Sequence, residues 1–133
     1  MNILHERPGI KEYLELRLAA GLSQKEESAA GTALSHSVFS VVIRNDDSEL
    51  IGMGRIIGDG GCYYQVVDIA VNRSYQDKGL DKVLMDEITE YLNLHIPKDA
   101  DVLLLAEVPA IGLYQKYGFE FTYPKAISLL RKL

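Results

Sequence analysis

The fold is decided by residues 66–85, which read VVDIAVNRSYQDKGLDKVLM. The first six of them are apolar on both faces apart from Asp68, which is typical of a central strand that is buried on both sides. From Leu80 onward apolar residues recur at helical spacing, until Pro97 marks the end of the helix. The next apolar run, residues 102–106, then becomes a strand parallel to the first, because a helix connects the two by a crossover.

The rest of the chain adds elements on both sides of this unit. We predict a short strand near Ile3, two helices and two antiparallel strands before it, and a short helix and two closing strands after it. The predicted order is βααβββαβαββ, an α/β (α+β) fold with a mixed sheet in one domain, residues 1–133. Among these elements, the predicted helices are Pro8 to Gly21, Ser23 to Leu34 and Pro109 to Tyr117, and the second begins with a capping box, Ser23 to Glu26. The predicted strands are Val38 to Ile43, Leu50 to Ile57, Cys62 to Val71, Phe119 to Tyr123 and Ile127 to Lys132.

Composition narrows the functional classes. The chain has 133 residues, 47% of them hydrophobic, with 14 Lys+Arg against 19 Asp+Glu and a net charge of −5. The acidic balance argues against nucleic-acid binding, and no apolar run reaches the roughly 18 residues of a membrane helix. One cysteine rules out an internal disulfide framework and fits a reducing, cytoplasmic location. The three histidines show no metal-ligand spacing, so we expect no metal.

The loop between the buried strand and the long helix has the properties of an anion site. Unpaired backbone N–H groups and the positive end of the helix dipole meet there, which suits a phosphate group. Gly79 lets the backbone approach a ligand closely or adopt a positive φ. Close packing of strand and helix is the alternative reason for this glycine.

Three blocks of sequence together resemble the GNAT superfamily, the Gcn5-related N-acetyltransferases, which move acetyl from acetyl-CoA to an amine. They are Asp68 to Val71, Tyr75 to Met85 and Leu113 to Phe119, in the order and spacing of that family. Gly52 to Arg55, followed by the 58–61 turn, looks like a small-molecule bacterial branch. The resemblance implies a GNAT fold in which the two central parallel strands splay apart.

The resemblance also implies how acetyl-CoA would be held. Backbone groups of Ile69 and Val71 would pair with the pantetheine arm, and main-chain N–H groups of the loop would bind the diphosphate. Tyr114 would protonate the departing thiolate, a task that suits a phenol because its pKa of about 10 exceeds that of a thiol. The implied cofactor residues are Ile69, Ala70, Val71, Gln76, Asp77, Lys78, Gly79, Leu80 and Asp81.

Three acids depart from the family pattern. Many relatives have Gly where this chain has Asp77, Gly or Ala where it has Asp81, and Asn where it has Glu107. Asp77 and Asp81 would repel a bound diphosphate, so we predict weaker CoA binding than is usual in the family. Glu107 cannot donate the amide hydrogen bond of an Asn and could instead face the acceptor amine.

The sequence offers several candidate residues for the general base and for the acceptor site. Asp68, Glu107 and Asp59 are candidate bases, with Asp68 favoured because burial would raise its pKa. The alternatives are a structural carboxylate at Asp68 and a simple hairpin turn at Asp59. Arg55 could bind an anionic group of the substrate or pair with a nearby acid.

These observations predict an N-acetyltransferase that acts on a primary amine of a small, cationic molecule by direct attack, with Tyr114 and Asp68 as catalytic residues. Arg55, Asp59 and Glu107 are the candidate substrate residues. The alternative is a non-catalytic, GNAT-fold module that binds or senses CoA. We expect neither a nucleic acid nor a membrane as partner, and a homodimer stays open.

Overall fold

The computed structural model, which describes residues 1–133, contains one mixed five-stranded sheet. Its strands lie in the order β1-β2-β3-β4-β5, antiparallel from β1 to β4 and parallel between β4 and β5. This confirms the predicted fold class and the parallel crossover. The strands are β1 (Asn2–Leu4), β2 (Phe39–Arg44), β3 (Leu50–Gly58), β4 (Tyr63–Val71) and β5 (Asp101–Leu104).

Four helices cover the sheet: α1 (Ile10–Ala19), α2 (Glu27–Ser35), α3 (Leu80–His95) and α4 (Ile111–Gln115). Successive side chains of a strand point to opposite faces, so the sheet has two apolar layers. The layer shared with α3 contains Val41, Ile43, Ile51, Ile56, Leu84, Met85 and Ile88. The layer shared with α1 and α2 contains Tyr13, Leu16, Ala30, Leu34, Val42, Met53 and Ala70. None of the helices is both long and apolar enough to cross a membrane.

The predicted start of the second helix is wrong by four residues. Ser23 to Glu26 does not form the capping box, and α2 begins at Glu27 with Glu26 as its N-cap. The reason is that Ser23 has another partner: its carbonyl oxygen accepts from Arg17 Nε at 2.9 Å and its hydroxyl from Arg17 Nη2 at 3.2 Å. The predicted end of the first helix is confirmed, because Gly21 follows α1 with a φ of +83°.

The two predicted closing strands are also wrong. Residues 119–133, here called the C-terminal arm, form no strand, although Phe119 to Tyr123 and Ile127 to Lys132 have strand-like sequences. Beyond Phe119 the only backbone hydrogen bond runs from Ala126 N–H to Thr122 O at 2.9 Å. A strand needs a neighbour to complete its ladder, and no other part of the chain pairs with the arm.

The predicted splaying of the central strands is confirmed and has a local cause in β4. Pairing with β5 stops at Val66, opposite Leu104. On the other edge, Met53 pairs with Ala70 but Arg55 pairs with Val67, so β4 carries one extra residue at this point. Asp68 lies in this bulge with a φ of +57°. A bulge bends its strand and increases the twist, which turns the end of β4 away from β5.

Candidate functional site

A cavity of about 710 Å³ opens where β4 and β5 separate, at the N-terminus of α3. It brings together most of the residues that the sequence singles out. Those that line it are Asp68, Ile69, Ala70, Val71, Gln76, Asp77, Gly79, Leu80, Asp81, Glu107 and Tyr114. Lys78, Arg55 and Asp59 do not line it.

One wall of the cavity is a free strand edge. Beyond Val66 the backbone of β4 is paired with β3 alone, through Val67, Ala70 and Val71, and has no partner on the β5 side. Such an edge presents N–H and C=O groups in an extended row, which an extended, amide-containing ligand can join as an additional strand.

The loop that follows β4 supplies free N–H donors. The backbone N–H groups of residues 77–81 donate to no group of the chain, whereas Gln76 N–H donates to Arg73 O at 3.3 Å. Asp77 and Gly79 have φ values of +67° and +72°, so the loop folds around a tight curve before α3. Gly adopts this conformation readily and Asp tolerates it better than most residues. Free amides at the positive end of a helix form a site for an anionic group.

Asp81 reduces the capacity of this anion site. Its Oδ1 accepts from the N–H of Lys82 at 2.9 Å, so one donor of the first turn of α3 is already used by a carboxylate. The same carboxylate brings a negative charge to the mouth of the loop. Two cationic side chains lie nearby in the sequence, Lys78 and Lys82, and the Lys78 ammonium lies 5.6 Å from the centre of the Tyr75 ring.

Tyr114 presents a hydroxyl that has no partner in the chain. It extends from α4 into the cavity and is half-buried. Burial, and after it the negative charges of Asp81 and Glu107, raise the pKa of Tyr114 above its ordinary value. The phenol therefore stays protonated through neutral and moderately basic pH. Tyr117, three residues later, differs: its hydroxyl donates to Asp86 Oδ1 at 2.7 Å, which raises the pKa of Tyr117 to about 12.

Asp68 is held by a buried cluster of polar groups. Its Oδ1 accepts from Arg17 Nη1 at 2.6 Å, and its Oδ2 accepts from the Tyr13 hydroxyl at 2.6 Å and from Arg55 Nε at 2.9 Å. Both arginines are only 6% exposed. The carboxylate thus joins β3, β4 and α1, and it fixes the bulge at which β4 turns away from β5. Burial, and then the hydrogen bond to Asp68, raise the pKa of Tyr13.

Two members of this cluster, Arg17 and Tyr13, were not among the predicted site residues. The sequence contains a signal for them, because both fall on the apolar face of the first helix. A buried arginine requires an acidic partner. Asp68 is the acid that interrupts an apolar strand, so the two irregularities could have been matched with each other.

Asp59 and Arg55 lie apart from the other predicted site residues. Asp59 is in the β3–β4 hairpin, at the opposite end of β4 from the cavity, and its Oδ1 accepts from the N–H groups of Gly61, Cys62 and Tyr63. These hydrogen bonds lower the pKa of Asp59. Arg55 is occupied by Asp68, Ala33 O and the Ser37 hydroxyl. No group of three or more His, Cys, Asp or Glu side chains could hold a metal ion.

Comparison with known proteins adds to this geometry. The family model described as an acetyltransferase (GNAT) domain matches residues 35–121, which include β4, the loop and Tyr114. The chain belongs to the GNAT family. This confirms the resemblance that the three sequence blocks carry.

Several GNAT-family relatives match along much of the chain. A protein of unknown function from meticillin-resistant Staphylococcus aureus is 38% identical with a TM-score of 0.92, and the match covers 99% of this chain and 98% of that one. An uncharacterized N-acetyltransferase of Porphyra purpurea, ycf52, is 32% identical over 65% of this chain and 51% of its own length. The chain spans about half the length of the curated relatives it matches.

A more distant member, a GNAT family N-acetyltransferase from Escherichia coli, has been solved in complex with CoA. It is 21% identical with a TM-score of 0.67, over 90% of this chain and 68% of that one, and so shares the fold.

Proposed function

We propose that the chain is an N-acetyltransferase that moves an acetyl group from acetyl-CoA to a primary amine of a small molecule. One observation carries the proposal: an unpaired strand edge and a row of five free amides, at residues 77–81, meet in one cavity with an unpartnered tyrosine hydroxyl. A cofactor with an amide-containing arm, a diphosphate and a thioester requires these three features together. The family to which the chain belongs is consistent with this assignment.

Each part of the cavity has a role in this proposal. The free edge of β4 at Ile69 to Val71 would pair with the amides of the pantetheine arm, and the loop amides would donate to the diphosphate. When bound, acetyl-CoA supplies an activated acetyl group as a thioester. Tyr114 holds a proton on its hydroxyl near Glu107, ready to donate it to the sulfur as the thiol leaves.

The amine must lose a proton before it attacks, and two of the three candidate bases, Asp68 and Glu107, line the cavity. Both oxygens of Asp68 are engaged by two arginines and a tyrosine, which favours the structural alternative that the sequence leaves open for it. Glu107 lines the same cavity and forms no side-chain hydrogen bond that would hold it elsewhere. We therefore assign Glu107 the role of attracting a cationic amine and accepting its proton.

A second candidate function, binding or sensing of CoA without catalysis, is favoured by one observation. The Asp81 carboxylate uses the Lys82 N–H at the start of α3 and places a negative charge beside the proposed diphosphate site. In this function the protein would bind CoA weakly and reversibly as a sensor, and would not transfer the acetyl group. This function shares the cavity but requires no proton transfer by Tyr114.

The experiment that separates the two functions is a thiol-release assay with acetyl-CoA and a panel of small amines. We expect release with at least one amine, and a fall in kcat of about 10²- to 10⁴-fold for Tyr114→Phe, because the general acid is lost. Tyr117→Phe is the matched control and should keep kcat, since that hydroxyl is used by Asp86. Full activity of Tyr114→Phe would contradict the assignment, and stabilisation by acetyl-CoA without thiol release would support the binding module.

A further inference from the structure

The C-terminal arm exposes an apolar surface that the chain does not cover. Every residue from Phe121 to Leu133 is exposed, and Leu129 and Leu130 are 94% and 80% exposed. The large apolar side chains of this part are Phe121, Tyr123, Ile127, Leu129, Leu130 and Leu133. A monomer in water rarely leaves so many neighbouring apolar side chains without a partner.

A groove of about 530 Å³ lies beside the arm. One wall is β5 with the residues that follow it, including the exposed Leu103 and Leu105, and the other is the arm itself, from Phe119 to Thr122 and from Ala126 to Leu129. The edge of β5 that faces away from β4 has no strand partner. The groove therefore combines apolar walls with free backbone groups, which are the two things that an additional strand needs.

We propose that the groove receives residues 127–133 of a second copy of this chain, and that two copies exchange these segments to form a symmetric dimer. Residues 119–122 stay with their own body, and the turn closed by Ala126 N–H and Thr122 O directs the following residues across to the partner. Each inserted segment completes the sheet beside β5, so the two strands that the sequence predicts for the arm form only in the dimer.

The charges favour a second copy as the occupant. The last thirteen residues carry Lys125, Arg131 and Lys132, and none of the 19 acidic residues of the chain. Residues 121–133 therefore carry a charge of +3, whereas residues 1–120, which include Glu120, carry a net charge of −8. Glu120 lines the groove and Asp101 begins β5, so the arm of one copy meets acidic groups on the other.

The area is also sufficient for a stable dimer. Covering the six large apolar side chains of the arm would bury on the order of 600 Å² per chain. The groove walls add to this, which brings the contact close to the ~800 Å² per partner of a standard interface. The exchange also affects the candidate active site, because Leu104, Leu105 and Tyr114 line both the groove and the cavity. The segment from the partner would pack behind Tyr114.

The test is the mass in solution of the 133-residue chain, measured by light scattering after size-exclusion chromatography, together with hydrogen exchange of the arm. We expect a dimer with slow exchange in residues 127–133. Replacing Ile127 and Leu129 by Asp should give a monomer with fast exchange there, and raise the dissociation constant at least about 100-fold. Both side chains are exposed in one copy, so the melting temperature at high dilution should not change.

Leu94→Asp is the matched control, since Leu94 is also 69% exposed but lies on α3. It should leave the dimer intact. A monomer at all concentrations would overturn the proposal, whether its arm exchanges quickly or is protected by folding back onto its own groove. So would a dimer that survives the double replacement, or an arm that is protected only on vesicles with anionic lipids.

Discussion

The two halves of β4 differ although they belong to one strand. From Tyr64 to Val66 the strand lies between β3 and β5, with a complete ladder on both edges. From Asp68 to Val71 it keeps β3 but loses β5, and this edge faces the cavity. The first half contributes to stability and the second is available for a ligand. The difference shows that a binding edge inside a sheet requires only one irregular residue, provided that the residue is firmly held.

The residue at the division, Asp68, is held by charge rather than by apolar packing. The Arg17, Arg55 and Tyr13 side chains all reach it from β3 and α1. Opposite the bulge, Gly54 leaves room for the Ile69 side chain, since a Cβ on Gly54 would lie 2.7 Å from Ile69 Cδ1. β4 can therefore separate from β5 for two reasons: the ionic contact of Asp68 on one face of the sheet, and the absence of a side chain at Gly54 on the other.

The largest loss of stability is expected from Asp68→Ala, which acts at the division between the two halves of β4. The change leaves two buried guanidinium groups without a carboxylate, which we expect to lower the free energy of unfolding by about 3–5 kcal/mol, measured by urea denaturation. Asp99→Ala, in an exposed turn, is the control and should have little effect. A loss for Asp68→Ala no larger than for the control would show that the cluster does not hold the bulge.

A smaller loss is expected from Gly54→Ala, which acts on the other face. The new Cβ would meet Ile69 Cδ1 and, at 2.9 Å, Ile88 Cδ1, so both isoleucines must move. We expect a loss of about 1–3 kcal/mol in urea denaturation and weaker binding of acetyl-CoA, because Ile69 belongs to the free edge. Gly112→Ala on α4 meets nothing within 4 Å and should not destabilise the protein. Equal stability of the two variants would contradict this explanation of Gly54.

The smallest effect concerns the loop that follows the free half of β4. Asp81→Asn keeps an acceptor oxygen for the Lys82 N–H but removes the negative charge beside the loop, so acetyl-CoA should bind about 2- to 5-fold more tightly in a calorimetric titration. Glu90→Gln, an exposed change on the same helix, should leave the affinity unchanged. If Asp81→Asn binds no more tightly, the carboxylate does not oppose the diphosphate.

The sequence alone predicted the features that depend on local pattern. Runs of apolar, β-branched residues between turns predicted β2, β3 and β4. Gly21 predicted the end of α1, and the helical spacing of apolar residues from Leu80 predicted the start of α3. The three blocks of family-like sequence predicted the splaying of β4 and β5. Apart from the splaying, which the contacts of Asp68 with Arg17 and Tyr13 explain, these features depend on residues that are close together in the chain.

The sequence could not predict the features that depend on distant partners. Ser23 looks like a helix cap but accepts hydrogen bonds from Arg17, which is itself held by Asp68, 51 positions further along. Asp59 is an acid like Glu107, yet the hairpin places it at the far end of β4. The arm has strand-like sequence, but no strand forms because no edge within the same chain pairs with it.

The central claim is that the free half of β4 and the following loop bind acetyl-CoA, and hydrogen–deuterium exchange measures this most directly. At saturating acetyl-CoA, peptides that contain residues 69–71 and 77–81 should exchange more slowly, because their backbone groups gain hydrogen bonds. Peptides from Tyr64 to Val66, which are already paired on both edges, should not change. Slower exchange of residues 69–71 and 77–81 alone is the result that this account predicts. Binding of acetyl-CoA with unchanged exchange at both sites would contradict it.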